Sequence, residues 1–172
     1  SFQFWLYSPV VWIIFGFGTI FGSFLNVCIF RLPHGTFWKH KRSVCPHCGA
    51  PIPFWHNIPL LSYLFLRGKA KCCGKRISFQ YFVVELLTAV GLVVVYNRFP
   101  FFSGGLGGSH LDLLNLIRFS HGAIFICLMI ICSFIDLRHM IIPDEISLSM
   151  VALTPVVAFI HPELSLKSAL IG

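Results

Sequence analysis

Apolar residues fall along this chain in long blocks, and polar residues collect between them. No charge interrupts residues 1–30, and the stretch from Val10 to Phe30 is apolar almost throughout. At about 1.5 Å of rise per residue, a helix over that stretch spans the ~30 Å hydrocarbon core of a bilayer. No basic segment precedes it and no small-residue cleavage site follows, which separates it from a secretory signal. Arg31 and Pro33 close it. A second apolar block is Phe79–Asn97, with Glu85 as its one charge, and a third is Phe119–Ile135. A fourth, Ile146–Ile160, is shorter and contains Pro155. Residues 34–78 are different material, with basic residues, four cysteines and repeated Pro, Gly and His, and predict a polar loop or small domain. Residues 98–118, Gly- and Ser-rich around 103–109, predict a flexible connection. Asp136–Glu145 predicts a short polar turn. There is no internal repeat.

Composition turns these blocks into a fold class. Of 172 residues, 56% are hydrophobic and 11% charged, against roughly 25% charged in an ordinary soluble domain. Disorder is excluded by the apolar content. Seven cysteines are too sparse, and odd in number, for a secreted disulfide scaffold. The expected fold is all-α: a polytopic integral membrane helical bundle. Residues 1–30 form its first transmembrane segment, 31–78 a cysteine-rich loop, and 79–172 the start of a further membrane domain. The chain begins with Ser and stops on Ser168-Ala-Leu-Ile-Gly172, which opens another apolar segment, so a piece of a longer protein is expected.

Charge then orients the bundle. Arg31, Lys39, Lys41, Arg42, Arg67, Lys69, Lys71, Lys75 and Arg76 account for nine of the 13 Lys and Arg, and no acidic residue lies among them. Short basic loops stay cytoplasmic, so the net charge of +7 places residues 31–78 inside. The Asp136–Glu145 turn falls on the same side, and the Gly-rich connection outside. The bilayer is the expected partner of this surface; nucleic acid is not.

Cys45-Pro-His-Cys48 is a C-x-x-C knuckle, followed later in the same polar segment by the vicinal pair Cys72-Cys73. Two thiolate pairs in a small polar segment are the pattern of a structural zinc site. Basic neighbours such as Lys41, Arg42, Lys71 and Lys75 would offset thiolate charge. Vicinal cysteines point apart, which favours Cys45, Cys48 and Cys73 over Cys72 and leaves His47 or His56 as a fourth ligand. The alternative is ordinary reduced thiols. Cys28, Cys127 and Cys132 lie in apolar blocks and read as packing residues.

Carboxylates beside or inside a span are costly and raise the question of function. Asp136 directly follows the third block, and Asp144 lies a short way on, after Ile141-Ile142-Pro143. A carboxylate there suits aspartic-type hydrolysis, in which two acids share one proton, the ionised one activating water and the protonated one polarising the scissile carbonyl. Asp136 could equally be a helix-end residue paired with Arg138 or His139. Asp144 and Glu145 read more simply as cap and first-turn acids. Glu85 reads as a structural acid bonded to a neighbouring helix, such as the one carrying Asn26. The remaining histidines, His34, His40, His110, His121, His139 and His161, make no ligand spacing.

Four pieces, in order, resemble the type IV prepilin peptidases, or leader peptidase/N-methyltransferases. They are Gly22-Ser-Phe-Leu-Asn-Val-Cys-Ile-Phe-Arg-Leu-Pro33; Cys45-Pro-His-Cys48 with Cys73; Asn57-Ile-Pro-Leu-Leu-Ser-Tyr63 with Ile77-Ser-Phe-Gln-Tyr81 and Val84-Glu-Leu-Leu-Thr88; and Ile135-Asp-Leu-Arg-His-Met-Ile-Ile-Pro-Asp144. The resemblance implies a bacterial inner-membrane aspartic endopeptidase. It would cut the basic leader of prepilins or pseudopilins after Gly and methylate the new N-terminus with S-adenosylmethionine. By position it makes Asp136 the first catalytic aspartate and Cys45, Cys48 and Cys73 zinc ligands, with Cys72 a further candidate ligand. The sequence departs from the family twice. Ala70 stands where the first cysteine of the second C-x-x-C pair is expected, with Cys72 as an extra thiol. The G-x-G-D motif of the second catalytic aspartate does not occur in residues 1–172, and Asp144 belongs to the first motif. As given, the chain is expected to be inactive alone. The rival reading is a non-catalytic membrane protein whose zinc loop is a docking or scaffold module.

Overall fold

The structure, a computed structural model, describes residues 9–34, 48–49, 60–103, 110–140, 144 and 146–152. Among them are the helices α1 Pro9–Arg31, α2 Leu61–Phe65, α3 Phe79–Arg98 and α4 Leu113–His139. α1, α3 and α4 are each long and apolar enough to cross a membrane. The chain is a polytopic helical membrane bundle, as its blocks of hydropathy predict. β-structure among the described residues is slight: Phe102–Ser103 pairs antiparallel with Leu111 and His110 just before α4, and Lys69 bridges Arg76.

Glycine decides how the spans meet. A Cβ on Gly18 would lie 2.5 Å from the Ala89 Cα, and one on Gly22 2.5 Å from the Glu85 Cα. Only hydrogen fits there, so α1 and α3 approach backbone to backbone over the Gly18–Gly22 pair. Apolar side chains gain little by leaving lipid for one another, so close packing of this small-x-x-x-small kind holds membrane helices together. α4 joins by the converse fit: Ile126 fills the space over Gly91, and Val95 that over Gly122. Buried hydroxyls stay satisfied inside their own helices, Thr88 donating to the Val84 carbonyl at 2.7 Å and Thr19 to that of Gly16 at 2.7 Å.

Two apolar clusters mark the two ends. At one, Leu25, Cys28 and Ile29 of α1, Val84 of α3, Ile131 and Ile135 of α4, and Ile146 pack together, with Cys127 and Cys132 against them. The three span cysteines are packing residues here. At the other end, Val10, Val11 and Ile14 meet Leu92 and Tyr96, with Phe101 and Phe119. Loop 32–78 and the segment after α4 therefore leave from the same end.

Two expectations need correcting. The third span begins at Leu113, not Phe119, and residues 113–118 belong to it. The Asp112 carboxylate caps it, accepting from the Asn115 N–H at 3.1 Å, and the Asn115 amide reaches the Pro100 carbonyl at 3.2 Å. Asn115 and Arg118 interrupt the apolar run Leu113, Leu114, Leu116 and Ile117 and make this first part of the helix look like the end of the preceding loop. The span also runs past Ile135 to His139, so Asp136 sits in the last turn of a helix. Met140, at φ 51° and ψ 36°, ends it, donating to the Asp136 carbonyl. Of the fourth apolar run, 146–152 are helical; its remainder, Glu145 and the Gly-rich residues 104–109 lie outside the described residues.

Candidate active site and metal centre

The buried acid of α3 organises this end. The Glu85 carboxylate accepts the Leu60 N–H at 2.8 Å and a hydrogen bond from the Ser23 hydroxyl of α1. Asn26 makes a parallel link, donating to the Tyr81 carbonyl at 3.2 Å and to the Gly22 carbonyl at 3.3 Å. Glu85 is thus the structural acid that its place in the span suggests, bonded to the helix carrying Asn26 through Ser23. It also fixes the cytoplasm-expected loop, since Leu60 opens the short turn α2. Leu60 has φ 56°, a conformation that costs a non-glycine residue about 1–3 kcal/mol and persists only when its surroundings enforce it.

From α2 the backbone continues into a tight hairpin. Tyr63 packs its ring on Phe79 and Phe82 at 6.2 and 5.6 Å between centroids. Gly68, at φ 67°, lies under the Tyr63 hydroxyl, where a Cβ would come within 3.0 Å. The Ile77 N–H donates to the Gly68 carbonyl at 2.7 Å, and the Ala70 N–H to that of Lys75 at 2.8 Å. The tip is Lys71-Cys-Cys-Gly74, with Gly74 at φ 69°.

There the Cys72 and Cys73 thiols converge with that of Cys48, all three sulfurs within 4.8 Å of one another, and Cys48 and Cys72 3.3 Å apart. Tetrahedral zinc with Zn–S bonds of about 2.3 Å needs sulfurs about 3.8 Å apart, so the donor set fits such an ion. Contrary to the sequence argument, both vicinal cysteines reach the cluster, because they sit at a hairpin tip instead of on a straight strand. Cys45, His47 and His56 lie outside the described residues.

The carboxylates follow from the end of α4. Ile135 is fully buried in the cluster with Ile131 and Ile146, while Asp136 and Asp144 are exposed. Ile135 before the one and Ile146 after the other are both buried in that cluster. Asp136, Glu85, the thiol cluster and α2 all belong to one end of the bundle, the end that charge patterning singled out. The Gly18–Gly22 contact that sets this geometry went unread in the sequence, although a G-x-x-x-G pair in an apolar span is its signal.

A bundle of apolar spans, with exposed carboxylates and a thiol cluster that could hold a metal ion at one end, defines a polytopic helical membrane protein. Similarity to known proteins makes it particular. Residues 16–99 match the bacterial peptidase A24 N-terminal domain, and residues 123–172 the type IV leader peptidase family. A prepilin leader peptidase/N-methyltransferase of Xanthomonas campestris pv. campestris is 34% identical over 91% of this chain and 58% of its own length. One of Klebsiella pneumoniae is 36% identical, over 83% and 60%; one of Bacillus subtilis is 34% identical, over 93% and 59%. The chain belongs to the type IV leader peptidase family, and spans about three fifths of the length of these relatives. No solved structure matches it.

Proposed function

We propose that this chain is the N-terminal and central part of an inner-membrane aspartic endopeptidase that removes the leader of prepilins or pseudopilins on the cytoplasmic side. The observation that carries the reading is the placement of Asp136: exposed at the end of a span, beside a fully buried Ile135, inside the stretch matched to the leader peptidase family. In the mechanism Asp136 is one of two carboxylates that share a proton across the scissile peptide. The ionised partner takes a proton from water, and the protonated one polarises the carbonyl. The second carboxylate would come from a G-x-G-D segment outside these 172 residues. The substrate would present its hydrophobic N-terminal helix alongside the spans, with the scissile bond at the end where Asp136 lies.

The names of the relatives support a second step, methylation of the new N-terminal amine with S-adenosylmethionine. Cys48, Cys72 and Cys73, with Cys45, would hold a structural zinc ion that fixes the loop against the bundle end. The domains then read as 1–30 first span, 31–78 methyltransferase-associated loop and 79–172 the opening of the peptidase domain.

The test is cleavage of a prepilin by the full-length parent. Asp136→Ala should lower the rate by about a thousandfold or more, and undiminished cleavage removes Asp136 from the mechanism. Zinc content measured beside it should fall in Cys48→Ser and stay unchanged in Asp136→Ala.

A further inference from the structure

α2 and the hairpin after it carry an unusual surface. Leu64 and Phe65 are exposed at 60% and 83%, and Arg67, Lys69, Lys71, Lys75 and Arg76 are exposed just beyond them. No acidic residue precedes Glu85 in the whole chain, and Glu85 is already engaged with Leu60. Among the described residues these five cations have no acidic partner. The bridge between Lys69 and Arg76 sets two of them directly opposite each other, which is destabilising unless an anion lies against the pair. A zinc ion on four thiolates would leave two negative charges at the hairpin tip, fewer than the cations around it.

Depth decides what meets this surface. Glu85 lies well inside α3, about 9 Å along the helix from Phe79, and its carboxylate holds the Leu60 N–H. Tyr63 is held again on Phe79 and Phe82 of the same first turn. α2 is therefore fastened beside the end of a membrane span and cannot stand off in water. With the bundle in a bilayer, exposed Leu64 and Phe65 at that level would meet the acyl–headgroup boundary, and the cations that follow would meet the headgroups. Apolar side chains flanked by Lys and Arg are the composition of an interfacial element.

We infer that residues 61–76 form an interfacial anchor, with Leu64 and Phe65 seated in the bilayer boundary and the Lys69–Arg76 pair binding an anionic phospholipid headgroup. This requires that the bundle spans a bilayer and nothing of the chemistry at Asp136. The anchor would hold the cysteine hairpin flat against the membrane.

The test uses the full-length protein in nanodiscs of phosphatidylcholine alone, and of phosphatidylcholine mixed with phosphatidylglycerol. Lipid retained after detergent extraction is counted by mass spectrometry. Wild type should retain phosphatidylglycerol preferentially, and the preference should fall about fivefold for each cation removed in Lys69→Gln, Arg76→Gln and their combination. Equal retention of the two lipids, or a preference that the double variant keeps, overturns the proposal; the latter result would assign the cations to an acidic protein segment. Phe65→Trp tests the apolar half. Its emission, taken as the difference from the parent, should be blue-shifted and quenched by phospholipids brominated on the acyl chain. An unshifted, unquenched signal overturns the seating of α2. Should Phe65→Trp fail to fold, the charge variants decide alone, since both side chains are exposed.

Discussion

The two ends of the bundle are built on opposite plans. The end near Tyr96 is closed. Tyr96, Phe101 and Phe119 pack their rings at centroid separations of 5.0 to 6.3 Å, Asp112 caps α4, and the Asp112 N–H donates to the Phe101 carbonyl at 3.0 Å. The end near Glu85 is open: thiols, carboxylates and cations are exposed there. Leu60, Arg67 and Met140, the three non-glycine residues with positive φ among those described, all lie there too. Backbone strain gathers where surrounding structure holds a working geometry in place. One end is assembled for cohesion and the other exposes the groups to which the proposed chemistry is assigned, with α1 and α3 in backbone contact between them.

The comparison breaks most sharply by double dissociation. Asp136→Ala should remove about 4 kcal/mol of transition-state stabilisation, the thousandfold loss of cleavage, and leave the unfolding midpoint in detergent unchanged. Tyr96→Ala, at the closed end, should do the reverse, costing about 3 kcal/mol of stability while each folded molecule still cleaves at the wild-type rate. A loss of cleavage per folded molecule in Tyr96→Ala would show that the ends are coupled. Glu85 tests the open end from within. Glu85→Ala leaves the Leu60 N–H without its acceptor, at about 2 kcal/mol, and limited proteolysis should then cut residues 60–78 faster. Glu85→Gln keeps an oxygen for that N–H and should restore protection. The smallest effect belongs to Asp112→Ala, a lost helix cap worth about 1 kcal/mol. It should appear as faster amide exchange at Asn115, with no change in the zinc content of the parent.

Much of this plan is legible in the sequence, for reasons that differ by element. The first two spans fall within a residue of their hydropathy limits, because lipid exposure is what hydropathy measures. The third begins well before its apolar block, since its start is fixed by the Asp112 carboxylate. The basic loop and the carboxylates emerge at one end, as an even number of crossings between them requires. What the sequence conceals is contact. Nothing in a hydropathy profile says that Gly22 faces the Glu85 backbone, or that Glu85 reaches back across the whole hairpin to Leu60. Vicinal cysteines look divergent until the tight hairpin between Ala70 and Lys75 turns both thiols toward Cys48.

Ile135 is fully buried and Asp136 is exposed, though one step of the helix separates them. Each step turns about 100° around the axis, so the direction in which Asp136 points is an angular phase, set by how Ile131 and Ile135 key into the cluster. A single alanine inserted between Gly122 and Ile131 would alter no residue at this end. It would rotate everything after it by that angle, pressing the carboxylate toward apolar neighbours and carrying Ile135 outward. The insertion should therefore silence cleavage as fully as removing Asp136, which makes the rotational setting of α4 as much a part of the site as the carboxylate.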